Sequence, residues 1–181
     1  SSRAEAITNG GATVSSDSPF APPPTITSLS VTSGIGTGGT STIISGANLD
    51  AATSVTVGGA VASIITNTST AITITTPARS DGAKDVVVTT AGGSVTSVGA
   101  FTYFSKYSIT YSGGDGSGGT APTQVSLAPA ETFTIASGSS VSKNGYTFAK
   151  WKDANNIEYL PGATFTVSNS AVTLTAQWVI D

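Results

Sequence analysis

Three glycines near the start of the chain have the spacing of a dinucleotide-binding loop. Gly34, Gly36 and Gly39 lie in SGIGTGGTS, residues 33–41, and form the pattern G-x-G-x-x-G. That pattern cradles a pyrophosphate when a strand precedes it, a helix N-terminus follows it, and an acidic residue lies about 20 positions further on. Here a short β-branched run follows, so no helix is predicted, and the glycines are interpreted as a loop between strands.

Carboxylates offer two further candidates for chemistry, and both have simpler explanations. Asp81 and Asp85 flank Lys84 in SDGAKDV, which could supply the paired acids of a hydrolase. However, Asp81 with the following glycine is typical of a turn, and Asp85 begins a predicted strand, so the two carboxylates need not converge. Asp115 lies in GGDGSGGT, but calcium requires about six to eight oxygen ligands, and one aspartate is too few. No catalytic, metal-binding or cofactor-binding residue is predicted.

The composition excludes several classes of function. The 181 residues include no cysteine and no histidine, which removes disulfides, thiolate chemistry, imidazole bases and the usual zinc ligands. Charged residues make up only 9% of the chain, and the net charge is −3. The seven basic residues are scattered, so nucleic acid is not an expected partner. No apolar run is long enough for a membrane span, so membrane insertion is not expected.

Residues 1–23 are predicted to form an extended N-terminal arm. They are rich in Ser, Gly and Ala and end in a proline run at residues 22–24. Such a segment buries too little apolar surface to offset its ordering entropy. We therefore expect the arm to lie against a partner subunit, with packing on its own module as the alternative. The predicted assembly contacts are Ile7, Val14, Phe20, Pro22 and Pro23.

Residues 24–104 alternate apolar and polar side chains between short turn signals, which is typical of an all-β sandwich. The predicted strands are Thr25 to Val31, Ser41 to Ser45, Ser54 to Val57, Val61 to Thr66, Ala71 to Thr75, Lys84 to Thr90 and Gly99 to Tyr103. The separators, such as GANLDAA, PARSDG and AGGS, carry the glycine, proline or asparagine that turns require. No helix is predicted.

This stretch resembles an IPT/TIG domain, an immunoglobulin-like β-sandwich found in transcription factors, receptors and bacterial surface proteins. The resemblance covers about eighty residues, including SGIGTGGT, which is similar to the family's loop between its first two strands. Val31 departs from the family's usual proline. The matching positions include Pro24, Ile26, Leu29, Gly34, Gly38, Gly39, Gly46, Asn48, Val55, Pro77, Gly82, Val86, Val88, Phe101 and Tyr103.

Residues 105–181 are predicted to form a second, smaller β module. This stretch resembles the Listeria-Bacteroides repeat, or internalin B-repeat, which implies a small β-grasp-like fold. Lys150 departs from the glycine usual in the family's GYTFxGW. The matching positions include Tyr107, Ile109, Tyr111, Gly145, Tyr146, Phe148, Trp151, Tyr159, Pro161, Phe165, Leu174 and Trp178. These aromatic residues are interpreted mainly as core, while Trp151 and Tyr159 are kept as candidate ligand-facing rings that could stack on a sugar.

Two hypotheses of function follow, and neither involves catalysis. In the first, the protein is a structural, surface-display component whose arm docks onto a larger assembly present in many copies. A phage capsid decoration, head-fibre or tail protein, or an extracellular filament would fit. In the second, it is a cell-surface adhesin module that binds host protein or glycan. The chain stops at Asp181 without a sorting tail, which favours the first hypothesis. The expected location is a virion surface or the cell exterior.

Overall fold

The computed structural model describes residues 21–181, and every regular element in this range is a β-strand. The predicted all-β fold class is confirmed. The predicted arm contacts Ile7, Val14 and Phe20 lie outside the described residues. Within residues 21–181 there is no helix that could cross a membrane.

Residues 24–104, named the sandwich module here, contain nine strands. They are β1 (Thr25–Leu29), β2 (Ser33–Ile35), β3 (Ser41–Ala47), β4 (Ser54–Val57), β5 (Ala60–Val61), β6 (Ser63–Asn67), β7 (Ala71–Thr75), β8 (Gly82–Thr90) and β9 (Gly93–Phe104). One sheet has the order β1-β3-β7-β6, and the other has the order β2-β9-β8-β4-β5. The two sheets enclose one buried cluster, which makes the module an immunoglobulin-like sandwich.

The core of the sandwich module follows from the alternation along its strands. Ile72 and Ile74 of β7 are fully buried, and Val86 and Val88 of β8 are buried from the other sheet. Successive side chains of a strand point to opposite faces, so the intervening residues remain accessible. The fully buried cluster comprises Ile44, Leu49, Val55, Val57, Ile72, Ile74, Val86, Val88 and Phe101, with Ala62 and Tyr103 nearly so.

Both lateral sides of the sandwich are closed by a chain segment that changes sheets. The consecutive strands β1 and β2 are edge strands of different sheets, and β5 and β6 repeat this arrangement on the other side. β2 and β5 contain only three and two residues. The pairing register of β1 and β6 shifts at Thr27 and Ile65. Short or bulged edges present little continuous backbone for pairing with another chain.

The predicted strands agree best with the structure where alternation is strong. The predicted strand at Ala71–Thr75 coincides with β7. The predicted strand from Val61 to Thr66 is divided between the two sheets, because the chain crosses from one to the other at buried Ala62. The last strand begins at Gly93, earlier than predicted, because a hairpin with β8 continues through a Ser- and Thr-rich stretch without apolar alternation.

The G-x-G-x-x-G stretch contains a strand and a tight loop. Ser33–Ile35 form β2, which pairs in parallel with the end of β9 and was missed from the sequence. Gly38 and Gly39 then have φ angles of 78° and 85°, and the chain turns directly into β3. No helix follows these glycines, so the helix N-terminus that a pyrophosphate requires does not occur here. The interpretation as a loop between strands is confirmed for Gly36 and Gly39, whereas Gly34 lies within β2.

Residues 105–181, named the second module here, contain nine further strands. They are β10 (Tyr107–Ser112), β11 (Gly118–Gly119), β12 (Val125–Leu127), β13 (Thr132–Thr134), β14 (Val141–Ser142), β15 (Tyr146–Lys152), β16 (Glu158–Tyr159), β17 (Thr164–Thr166) and β18 (Val172–Ile180). The main sheet has the order β12-β10-β18-β15-β16, and the pairs β11-β14 and β13-β17 complete the fold. Its first and last strands, β10 and β18, are parallel neighbours.

The second module has a buried cluster of its own, built largely on one face of the main sheet. Ile109 of β10, Trp151 of β15 and Leu174 of β18 have no exposed surface. Phe133 and Phe165 of the β13-β17 pair contact each other at a centroid distance of 5.3 Å. The buried members of the cluster are Ile109, Ile135, Val141, Trp151, Phe165, Val167, Leu174 and Ala176.

In each module the chain begins and ends at opposite ends of the fold. In the sandwich module, the carbonyl oxygen of Pro22 lies against Gly92, at the start of β9, while the chain leaves after Phe104, at the end of the same strand. In the second module, β10 and β18 run in parallel, so Tyr107 and Ile180 lie at opposite ends of the sheet.

Candidate functional site

The aromatic residues of the second module form a packed cluster. Trp151 has no exposed surface, and its Nε1 donates a hydrogen bond to the carbonyl oxygen of Ala136 at 2.8 Å. Its ring centroid lies 4.8 Å from that of Tyr111 and 5.0 Å from that of Phe148. The expectation of a ligand-facing ring is therefore corrected for Trp151, because this ring lies at the centre of the core.

Tyr159, the second candidate ring, is only half-buried. It packs against Phe165 at a centroid distance of 5.2 Å, and its hydroxyl donates a hydrogen bond to Oδ2 of Asp153 at 3.1 Å. Burial raises the pKa of Tyr159, and the hydrogen bond to Asp153 and the negative charge of that carboxylate raise it further. With Trp151 buried, these two rings do not form a pair of adjacent exposed faces for a sugar.

Replacing Asp153 with asparagine is expected to lower the pKa of Tyr159 without returning it to the ordinary value. The neutral amide removes the charge that opposes the phenolate, whereas the burial of the ring remains. Tyrosinate absorbance during an alkaline titration, with a Tyr159→Phe variant to assign the signal, measures the change. The raised pKa of Tyr103, which comes first from burial, serves as the internal reference and should not move.

The same titration has a defined consequence for stability. The pKa of Tyr159 in the folded state lies above that in the unfolded chain, which is about 10. Its contribution to stability is therefore fully present below about pH 10 and is lost as the pH rises through the folded-state value. An unchanged tyrosinate titration in the Asp153→Asn variant would show that the carboxylate has no influence on the ring.

Asp81 and Asp85 each bind a separate part of the backbone. The carboxylate of Asp81 accepts hydrogen bonds from the backbone nitrogen and the hydroxyl of Ser105, both at 3.0 Å. Oδ1 of Asp85 accepts a hydrogen bond from the backbone nitrogen of Gly99 at 2.8 Å. Between them, the Lys84 ammonium donates to the carbonyl oxygen of Asp81. Each carboxylate thus holds a strand end or a bulge in place.

Two glutamates of the second module also have partners within the fold. Glu131 accepts a hydrogen bond from the backbone nitrogen of Ala128 at 2.7 Å, and Glu158 forms an exposed ion pair with Lys150 at 2.6 Å. Such exposed pairs contribute little to stability. Among residues 21–181, no group of three or more acidic side chains is placed to hold a metal ion.

A cleft of about 770 Å³ opens at the end of the sandwich module where the chain leaves it. The side chains of Ile35 and Phe104 give it an apolar wall, and Asp81 and Lys106 add charged groups at its rim. Arg79, which also lines it, is engaged in hydrogen bonds to the carbonyl oxygens of residues 57 and 58. The cleft combines apolar surface with a few charged groups, an arrangement suited to an amphipathic ligand.

The sequence does not predict this cleft, although two of its lining residues, Gly36 and Asp81, are candidates for other chemistry. Ile35 and Phe104 meet because β2 pairs in parallel with β9. That pairing joins segments about seventy positions apart and leaves no periodic signal in one sequence. The turn at Asp81 and the start of the second module at residue 105 can both be predicted, but nothing in the sequence places them side by side.

At the opposite end of the sandwich module, the final residues of the arm lie on their own chain. Asn48 donates a hydrogen bond from Nδ2 to the carbonyl oxygen of Pro23 at 3.0 Å. A side chain at Gly92 would overlap the carbonyl oxygen of Pro22, so this close approach requires glycine. The rings of Pro22 and Pro23 remain exposed, and their contact with an assembly stays a prediction.

The fold and the turn glycines agree with a known family. The sequence model of the IPT/TIG domain matches residues 24–103. Over these residues the chain is similar to the IPT/TIG domain. The expectation drawn from the SGIGTGGT loop and the strand pattern is thus confirmed for the sandwich module, which has an immunoglobulin-like fold.

Two proteins from Evansella cellulosilytica are identical to this chain at about a third of the aligned residues. One, provisionally named a membrane protein, is 33% identical over 76 residues, covering 40% of this chain and 11% of its own length. The other, provisionally named a Gly-rich membrane protein, is 33% identical over 79 residues, covering 42% of this chain and 9% of its own length. The chain therefore spans only a small part of the length of these relatives.

Solved structures with similarity to the chain include extracellular and carbohydrate-related proteins. The Plexin A4 extracellular region is 16% identical, with a TM-score of 0.43, and covers 78% of this chain and 12% of its own. SGBP-B from a xyloglucan utilization locus in Bacteroides uniformis is 17% identical, with a TM-score of 0.39, and covers 74% and 38%. The gamma-CGTase from alkalophilic Bacillus clarkii is 15% identical, with a TM-score of 0.44, and covers 88% and 28%.

Proposed function

We propose that this chain is a non-catalytic display protein of the cell exterior, in which two β modules extend from a larger assembly. Residues 1–23 provide the attachment to the protein subunits of that assembly. The modules then carry the distal end of the chain away from the attachment point. The role requires neither a cofactor nor a reactive side chain.

The observation that carries this proposal is the path of the chain through each module. Because each module begins and ends at opposite ends, consecutive modules add to the reach of the chain. β9 contains twelve residues, which corresponds to about 40 Å at about 3.3 Å per residue. If the chain entered and left each module at the same end, the modules would add little to its reach.

The chemistry of the described residues supports a structural role. The carboxylates of Asp81, Asp85, Glu131 and Asp153 each accept hydrogen bonds that fix turns, bulges or strand ends. Trp151, one of the two tryptophans, is buried in the core. These groups maintain the fold, which is the expectation for a display module.

The relatives support a location at the cell envelope, because both carry the provisional name of membrane proteins. The second module's resemblance to the internalin B-repeat favours the same setting, and its parallel terminal strands fit the implied β-grasp-like arrangement. Attachment to a virion or an extracellular filament through residues 1–23 is the other setting in which the arm would operate.

Fractionation of the native source tests the proposal. An antibody against residues 21–181 should detect the protein in the envelope or particle fraction, and protease added to intact cells should remove the signal. Deleting residues 1–20 should release the chain into the medium, whereas an Asp17→Asn variant should remain attached. Protease-resistant protein found only in the cytosol would refute the display role.

A second candidate function is adhesion to host protein or glycan, and the cleft beside Phe104 is the observation that favours it. Glycans and peptides screened by NMR should then shift the resonances of Ile35, Phe104 and Lys106. The buried residue Trp151 should be unaffected, because it lies in the other module's core. Shifts confined to other surfaces would exclude the cleft as the binding site.

A further inference from the structure

The two terminal strands of the second module are joined along their length. β10 and β18 pair in parallel at four positions, from Ile109 with Val172 to Ser112 with Thr175. Side chains add to this backbone pairing, since Oγ1 of Thr110 donates to the carbonyl oxygen of Val172 at 3.3 Å and lies 3.3 Å from Oγ1 of Thr173. A pull applied to the two ends of the second module reaches β10 and β18 first, and these two strands are hydrogen-bonded directly to each other.

The direction of these strands decides how a pull is resisted. Tension between the two chain ends acts on the start of β10 and on the end of β18, which lie at opposite ends of the pair. The strands can then separate only by sliding along each other, so the interstrand hydrogen bonds must yield together. In an antiparallel pair pulled from one end, the bonds yield one at a time, and each step needs less force.

The sandwich module has a similar arrangement. β2 and β9 pair in parallel, and the backbone nitrogens of Thr102 and Gly36 extend the ladder through bonds to residues 32 and 104 at 2.8 and 2.9 Å. Both ends of the module are also fixed to its body. Asn48 binds the carbonyl oxygen of Pro23 at one end, and Asp81 binds Ser105 at the other.

We propose that this chain is a load-bearing element, in which the parallel β10-β18 and β2-β9 pairs resist tension applied between its ends. The function goes beyond display and does not depend on it, because a module has its resistance whatever it is attached to. The chain contains no cysteine, so this resistance comes from noncovalent pairing alone. The relevant quantity is the rate of forced unfolding rather than the equilibrium stability.

Single-molecule force spectroscopy on the full chain can separate the two directions of pulling. Because cysteine is absent, two substituted cysteines define the tether points without competing thiols. Lys106→Cys with Asp181→Cys loads the β10-β18 pair in shear. Asn144→Cys with Asp181→Cys is the matched control, because residue 144 lies beside the start of β15, which pairs with the end of β18 in antiparallel register. Residues 106, 144 and 181 are all exposed.

The force that opens the second module should be several-fold higher for the 106–181 pair than for the 144–181 pair at the same pulling speed. Equal forces, or a lower force for the 106–181 pair, would overturn the proposal. Tryptophan fluorescence of each tethered variant, from Trp151 and Trp178, verifies that the module is folded before it is pulled.

A conservative substitution tests the clamp itself. Thr110→Val removes the hydroxyl that bridges β10 and β18, whereas Thr166→Val makes the same change in the β13-β17 pair. Thr110→Val should lower the opening force for the 106–181 pair and leave that for the 144–181 pair unchanged, and Thr166→Val should alter neither. An equal loss of force in both pulling directions would mean that Thr110 supports general stability, and it would contradict a clamp at this position.

Discussion

Replacing Trp151 with alanine is expected to destabilise the second module by about 3–5 kcal/mol, which is the usual cost of removing a buried large aromatic side chain. Trp151 has no exposed surface and contacts Tyr111 and Phe148. Its Nε1 donates a hydrogen bond to the carbonyl oxygen of Ala136 within the core. Domains are commonly stable by only about 5–15 kcal/mol, so the loss is a large fraction of the total. The expected result is a module that unfolds early in urea while the sandwich module remains folded.

The two modules can be monitored separately because both tryptophans lie in the second one. Fluorescence of Trp178 reports the second module, and far-UV circular dichroism reports both. Phe101→Ala is the matched control, because it removes an equally buried ring from the sandwich core and should shift only the other transition. If fluorescence and circular dichroism instead show one common unfolding transition, and both variants shift it, the two modules unfold together.

Replacing Gly38 with alanine is expected to be the most damaging change in the loop between β2 and β3. Its φ angle is 78°, and an added Cβ would lie 2.6 Å from the carbonyl carbon of Pro77, which is backbone and cannot rotate away. Gly39→Ala is the matched control, because its φ angle is 85° but no atom lies within 4 Å of the added Cβ.

The two variants separate backbone conformation from close contact. Gly39→Ala should cost about 1–2 kcal/mol, the usual cost of a left-handed conformation for an L-residue. Gly38→Ala should cost about 1–3 kcal/mol more, because the loop must also shift to relieve the overlap. Urea unfolding followed by circular dichroism measures both. If both variants lose the same free energy of unfolding, the segment at Pro77 moves away easily, and the positive φ angle alone accounts for the cost.

The strand pattern of the sandwich module could be predicted because burial alternates with position. β7 was located to the residue, since Ile72 and Ile74 alternate with half-exposed neighbours. β2 could not be located, because two of its three residues are Ser33 and Gly34, which carry no apolar signal. The sequence likewise contains no sign that β2 lies beside β9, since parallel pairing across a long separation is a property of the folded chain.

The candidate site shows a different limit. The amino-acid type of Trp151 indicates a large apolar surface, but a core residue and a sugar platform share that property. The structure decides for the core because β10, β15 and β18 bring Tyr111, Phe148 and Trp151 together. The cleft beside Phe104 depends on the meeting of three distant segments, so no local motif could predict it.

The short and bulged edge strands of the sandwich module affect how densely such a protein can be arranged. A crowded surface brings identical chains to high local concentration, where unpaired strand edges would otherwise join into fibrils. Register shifts at Thr27 and Ile65, and edge strands of two and three residues, oppose that joining. In the display role proposed above, neighbouring copies would then stand side by side and remain separate molecules.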